Sequence, residues 1–353
     1  MTTASNTHWA EGGLWTSYKN NFARHLLGVS RHLQFETMRR LSERMGHQHL
    51  RLNFEPYLSL LNEEGLRITE LAEQLEISKQ ACNQTANQIE KAGYIRREAD
   101  PFDGRARRIV LTPKGRQLQL DGLRVSAEIY SEYATLAGSQ ELSAVVASLS
   151  ALDGALSLTG GRAGNAGQVI AEIGEGALLA GLLPRLADYV TRRLMALTMA
   201  KGHPGLKPSF GQVLTLIGPE GGRINRIAAI QKVSKQAVSA TVAELNGLGY
   251  LERRPEPGDA RQVLIHLTAQ GRDLIADSVE ALNGLEETLR VLLGEADFEH
   301  FKAVLLHLYK GLCVESEVFS PAENIDLGVL AQQLKSQLGD EAVRELVALL
   351  LQK

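Results

Sequence analysis

Ser78, Lys79, Gln80, Asn83, Gln84 and Asn87 fall at spacings that gather them on one side of a helix. Their amides and hydroxyl both donate and accept hydrogen bonds, the chemistry that reads base edges in the major groove of duplex DNA. Seven cations follow between Arg96 and Arg116: Arg96, Arg97, Arg105, Arg107, Arg108, Lys114 and Arg116. A cluster of that sign suits a phosphate backbone. A solvated helix face would have a similar composition, so these residues alone leave a structural reading open beside the recognition reading.

The elements that must position them are legible from periodicity. Ile68, Leu71, Ala72 and Leu75 repeat at helical spacing. A break at Glu76-Ile77 follows, and Ser78 is placed to cap a second helix running to about Ala92. Ile77 and Cys82 are spaced as a hydrophobic staple. Cys82, Ala86 and Ile89 should face inward, and Gly93 should stop the helix. Two short helices joined by a tight turn make a helix-turn-helix. Beyond it, Tyr94–Ala99 and Arg107–Leu111 read as strands around a turn at Asp100–Arg105, a β-hairpin wing. Thr112-Pro113 then opens another helix.

The whole unit occurs twice. Residues 68–118 align without a gap on residues 224–274, 156 positions later, and about two in five residues are identical. A fixed offset of this kind marks a duplicated structural unit. In the second copy Val238, Val242 and Leu245 should face inward, while Ser234, Lys235, Gln236 and Ser239 occupy the polar side. The second wing is the weaker cation cluster, because Val263 and Leu264 stand where the first has Arg107 and Arg108.

The order helix-turn-helix, Gly93-Tyr94, Arg97, Asp103-x-Arg105 and Leu111-Thr112-x-x-Gly115 resembles the winged-helix transcription regulators of the MarR type. Gly249, Tyr250, Arg253, Asp259, Arg261, Leu267, Thr268 and Gly271 repeat it. The resemblance implies a helix that enters the major groove. It also implies wing-tip arginines, here Arg105 and Arg261, that reach the minor groove, with Asp103 and Asp259 able to orient them. It implies double-stranded DNA as partner, while the two cysteines and the lack of a signal-peptide pattern fit a soluble protein of the reducing cytosol and no motif points to an enzyme. It further implies a small aromatic or phenolic effector between the long helices and each head, for which Trp15, His25, His32, Tyr57 and Tyr189 are the candidates. Residues of these types at such positions are more often core or helix-packing residues. Members of the family usually pair as single-unit chains, so a tandem chain departs from the pattern.

Outside the reading cores, Leu14–Met45 reads as one long helix, with a counterpart at about Ile170–Lys201. Further helices are expected at Thr112 to about Leu136 and Ser139 to about Leu152, again with counterparts. The chain should therefore divide into a first unit (14–152), a Gly/Ser/Ala-rich linker (153–167), a second unit (168–313) and a helical tail (314–353). The tail's apolar face should pack on the protein itself or mediate self-association. The expected fold is mainly α with small β-hairpin wings, the two units lying about a pseudo-two-fold axis made by their long helices.

The net charge of −3 excludes a basic nucleic-acid coat, so local charge must carry any DNA contact. Two cysteines argue against a disulfide framework, and Cys82 replaces a valine at a buried position. No uncharged apolar run of 18 residues suggests a membrane span. His47-Gln48-His49 has no neighbouring acid or cysteine that would complete a metal site, and no catalytic or cofactor motif appears. The expectation is a sequence-specific DNA-binding regulator without a cofactor, set against an architectural DNA binder with little sequence preference.

Overall fold

The computed structural model describes residues 13–314 apart from 63, 76, 102, 104, 105, 159–165, 232, 257 and 258. The expected C-terminal tail and Arg105 lie outside the described residues. The helix expected from Leu14 is two helices, α1 (Leu14–Lys19) and α2 (Phe22–Glu43). Asn21 divides them. Its Oδ1 accepts from the Arg24 amide at 3.0 Å and caps α2, while its Nδ2 donates to the carbonyls of Ser17 and Tyr18 and closes α1.

A short 3-10 turn (Leu52–Phe54) and α3 (Glu55–Leu60) lead into β1 (Leu66–Arg67), α4 (Ile68–Gln74) and α5 (Lys79–Lys91). The wing strands β2 (Ile95–Ala99) and β3 (Arg107–Leu111) follow, then the long α6 (Pro113–Ala137) and α7 (Ser139–Leu156). The second unit runs through α8 (Ala166–Ala200), α9 (Pro208–Ile217), α10 (Ile224–Gln231), α11 (Lys235–Gly247), β4 (Leu251–Glu256), β5 (Asp259–Leu267), α12 (Ala269–Leu293) and α13 (Glu295–Gly311). Helix extends to Leu156 and resumes at Ala166, so the joint between units is shorter than its composition suggested. α8 kinks at Gly174 (φ 77°), close to the point where α1 and α2 part in the first unit.

The long helices form the centre. α2 packs on α8 and α7 on α13; α13 lies against α2 as α7 lies against α8, and against α6 as α7 lies against α12. This exchange of roles is a pseudo-two-fold axis running through one chain. A single apolar cluster fills it, including Phe22, Leu26, Val29, Leu183, Phe298 and Phe301. The Phe22 ring centroid is 5.5 Å from that of Phe298 and 5.8 Å from that of Phe301. Burial of side chains this size contributes about 1.5–3 kcal/mol each. Gly28 permits a close approach here, since a Cβ on it would fall 2.5 Å from the Tyr309 ring of α13.

The first head shares this core, through Leu71, Cys82, Ile89 and Tyr94. The second head has its own cluster around Phe210, Val213, Val242, Leu245 and Ile265, met by Trp15 and Tyr18 from α1. A histidine–aspartate pair ties each head to its long helix: the buried His47 Nε2 with Asp121 Oδ2 at 3.0 Å, and His203 Nε2 with the half-buried Asp277 Oδ2 at 2.8 Å. The ring of each histidine also lies against a wing tyrosine, Tyr94 or Tyr250. Burial alone would raise the pKa of Asp121, but hydrogen bonds from His47 and Gln117 hold it below the usual carboxylate value. Among the described residues no three His, Cys, Asp or Glu side chains gather as a metal site.

His25 sits inside the α2–α13 contact, bonded to Asn20 Oδ1 at 2.7 Å and 4.9 Å from the Tyr309 ring centroid. Burial, with the charges of Arg24, Lys310 and Lys302, pushes its pKa down to about 4. The unfolded chain therefore binds the proton that the folded chain refuses. Stability contributed by neutral His25 is complete above about pH 6.5 and declines as the pH falls towards 4. Denaturant titrations across that window should show the loss, and His25→Gln should flatten it.

Candidate nucleic-acid interface

Each candidate reading helix, α5 and α11, is fixed at both ends by its own sequence. The Ser78 Oγ accepts from the Ala81 amide at 3.2 Å, and the Ser234 Oγ from Ala237 at the same distance. Gly93, at φ 85°, turns the chain out of α5 in a conformation that other residues rarely adopt. Cys82, Ala86 and Ile89 are fully buried, as are Val242 and Leu245, with Val238 at 1%. Burial raises the pKa of the Cys82 thiol, against a hydrogen bond from Tyr57, as fits a packing cysteine. The expected staple residue Ile77 is instead 39% exposed and its counterpart in the second copy, Val233, 45%, leaving two apolar side chains at the foot of α5 and α11.

Ser78, Lys79, Gln80, Asn83, Gln84 and Asn87 are all exposed along α5. On α11, Ser234, Lys235 and Gln236 are exposed and Ser239 is half-buried. Two of the six in the first head are not unencumbered. Arg97 Nη2 donates to the Asn83 Oδ1 at 2.9 Å and to the Asn87 Oδ1 at 2.7 Å. Its Nη1 pairs with Glu90, whose carboxylate also accepts from the Arg97 amide at 3.2 Å.

The wings differ. In the first head β3 lies between β1 and β2, with Arg67 opposite Arg108 and Ala99 opposite Arg107. In the second, β4 pairs with β5, and a single bridge from Gly222 to Ile265 takes the place of β1. Asp100, buried at the wing turn, receives Arg67 Nε at 2.7 Å and faces Arg108 Nε at 3.3 Å. Arg108 also donates to the Glu64 carbonyl at 3.0 Å. Several cations counted from sequence as one basic cluster thus serve the fold. Arg96 pairs with Glu98, Lys114 donates to the Ala92 carbonyl over the Tyr94 ring, and Arg116 donates to the Leu111 carbonyl. Arg107 stays exposed. Arg105 falls outside the described residues, as does the side chain of Arg261 in β5. Asp103 meets the wing through its amide, which donates to Asp100 Oδ1 at 3.2 Å.

The effector candidates are dispersed. Trp15 lies 5.5 Å from Tyr18 and packs on the second head, and His25 packs on Tyr309. His32 Nδ1 is 2.8 Å from the Tyr133 hydroxyl. Tyr57 is buried in the first head and Tyr189 packs against the long-helix core. Among the described residues no ring contact joins any two of the five. Sequence reading missed Asp100, which looked like turn composition, and the Arg97–Glu90 pair, whose members belong to different elements.

Asp100→Ala should release Arg67 and Arg108 and loosen the first wing, at a cost of about 1–3 kcal/mol. Amide hydrogen exchange should then quicken across β2 and β3 while the buried face of α5 keeps its protection.

Residues 56–106 and 205–262 each match the family model described as MarR family, and the two matches end at equivalent points of the repeat. Similar solved structures include the transcriptional regulator Tm0710 from Thermotoga maritima. It is 22% identical over 39% of this chain and 94% of its own, with a TM-score of 0.29. CouR from Rhodococcus jostii RHA1, bound to p-coumaroyl-CoA, is 19% identical over 44% of this chain and 87% of its own, with a TM-score of 0.25. Among curated proteins no match is found. No helix among the described residues is long and apolar enough to cross a membrane. Both copies of the repeat thus contain a segment that the MarR family model matches.

Proposed function

We propose that this chain is a sequence-specific DNA-binding regulator of transcription in which two heads of one chain engage the two halves of a pseudo-palindromic site. The observation that carries this reading is the construction of α5 and α11. Each is capped by serine, buried on an apolar face and exposed on a polar one, and the two are related by the pseudo-two-fold axis of the long helices. Amides on an exposed helix face supply base-edge chemistry that a general architectural binder does not need.

Charge at the helical core supports pairing of the first unit with the second. Glu175 on α8 accepts from the Tyr130 hydroxyl of α6 and the Ser143 hydroxyl of α7, both at 2.5 Å. The positions equivalent to Tyr130 and Ser143 in the second unit are Glu286 and Glu299, which Lys302 bridges at 2.7 and 3.6 Å. Were two second units to pair, Glu175 would meet those two carboxylates. Like charges brought together in a partly desolvated contact are unfavourable. Pairing within the chain avoids the clash.

Selection of bound DNA from a random pool should yield half-sites about 10 base pairs apart, centre to centre. Light scattering should give one chain per site, whereas two chains on one two-half-site operator would overturn the arrangement. Preference for the selected site over random DNA should reach ~10³-fold, and a much smaller ratio would favour the architectural reading. The wing geometry sets a second expectation. Arg107→Ala should lower the slope of log affinity against log salt by about 0.9, as one lost phosphate contact does. Arg108→Ala should leave that slope in place, because its guanidinium is held by Asp100 and Glu64.

Release by a small molecule fits the same reading. The open groove between α8 and α12, lined by Arg193, Leu197, Lys201, Leu285 and Thr288 among others, contains none of the five candidate effector residues. The unit boundaries 14–152 and 168–313 belong to this proposal as well, and self-association through the tail is what two chains on one operator would point to.

A further inference from the structure

The clamp on Asn83 and Asn87 has no equivalent in the second head. The corresponding residues there are Ser239 and Ala243, Asn246 stands in place of Glu90, and Arg253 is exposed. In the first head one nitrogen of Arg97 receives both amide oxygens. A guanidinium only donates, so the side of each amide turned towards it must be the oxygen. Two oxygens converging on one nitrogen leave the two Nδ2 groups directed away from it. Glu90 holds the guanidinium from the other side, through its side chain and through the Arg97 amide, so the clamp is anchored at both ends.

On the reading of the chain as a DNA-binding regulator, we infer that Arg97 is a positioning residue that sets which bases the first head accepts. It presents Asn83 and Asn87 to the major groove as hydrogen-bond donors. A free asparagine pairs bidentately with adenine by donating to N7 and accepting from the N6 amino group. With its oxygen turned towards Arg97 and one of its two lone pairs taken there, the amide presents Nδ2 rather than the oxygen–nitrogen pair to the base edge. Guanine offers two acceptors, N7 and O6, and thymine offers O4, whereas cytosine offers a donor. The first head therefore selects guanine or thymine opposite Asn83 and Asn87 and disfavours adenine. The second head carries no such filter, so the two half-sites of one operator differ in sequence.

The test is selection from a random duplex pool with the full chain, in four forms. The Asn83→Ala/Asn87→Ala double variant identifies the positions that these amides read, as those where base preference disappears. At those positions the wild-type chain should select guanine or thymine. Arg97→Leu should free the amides and admit adenine, with discrimination against it falling about tenfold. Glu90→Gln, which keeps the shape of the anchor and removes its charge, should shift preference the same way and guards against misfolding of the Arg97 variant. Preference in the other half-site should be unchanged in every variant. Adenine selected by the wild-type chain at the marked positions would overturn the inference, as would an unchanged preference in folded Arg97→Leu and Glu90→Gln. Failure of the wild-type chain to enrich any sequence would instead overturn the proposed function, and this inference with it.

Discussion

Everything in this molecule depends on the mutual burial of its long helices. α2 and α8 present apolar faces too wide for water, and each finds its cover in the other unit. Phe22 from the first unit reaches Phe298 and Phe301 of the second, and Tyr309 fills the notch left by Gly28. Close packing of this kind has few alternative arrangements, because a misfit of even a methylene is costly. The distance and orientation between the two heads follow from that fit. The His47–Asp121 and His203–Asp277 pairs then transmit it, each tying a head to the helix that carries it.

Within a head, a buried apolar face and an exposed polar face divide one helix between them. The inward residues of α5 fix its rotation, so the outward residues beyond the capping Ser78 are exposed without any stabilising duty of their own. Arg97 is the exception, since it holds two of those outward side chains in a chosen orientation. Rigid presentation lowers the entropy lost when such groups meet a partner. In the second head, serine and alanine at the same places leave a smoother surface.

Much of this was legible in the sequence because local signals agree with one another there. Ser78, Gly93, Thr112 and the spacing of Cys82, Ala86 and Ile89 each act within a turn or two, and the structure realises all of them. What sequence concealed was chemistry between elements. Seven cations near the first wing looked alike, yet Arg108, Lys114 and Arg116 reach backbone carbonyls that only the fold brings near. Asp100 looked like a turn former and proved to be the acid that holds Arg67 and Arg108. The break at Asn20-Asn21 was hidden for a different reason. The apolar period runs through it, and the capping bonds of Asn21 decide locally against the longer helix.

The joint between the units has a further consequence. Helix ends at Leu156 and resumes at Ala166, so residues 157–165 hold both halves of the core together. A tether of that length spans at most about 30 Å and keeps each half near the other at an effective concentration on the order of millimolar. Assembly of the two heads is then unimolecular, and dilution does not take them apart. On the proposed function, occupancy of a two-half-site operator would rise in simple proportion to the amount of protein, where a dissociating dimer would follow its square. Mixed pairs would also be absent. A chain with one damaged head would spoil its own binding and leave intact copies beside it unaffected.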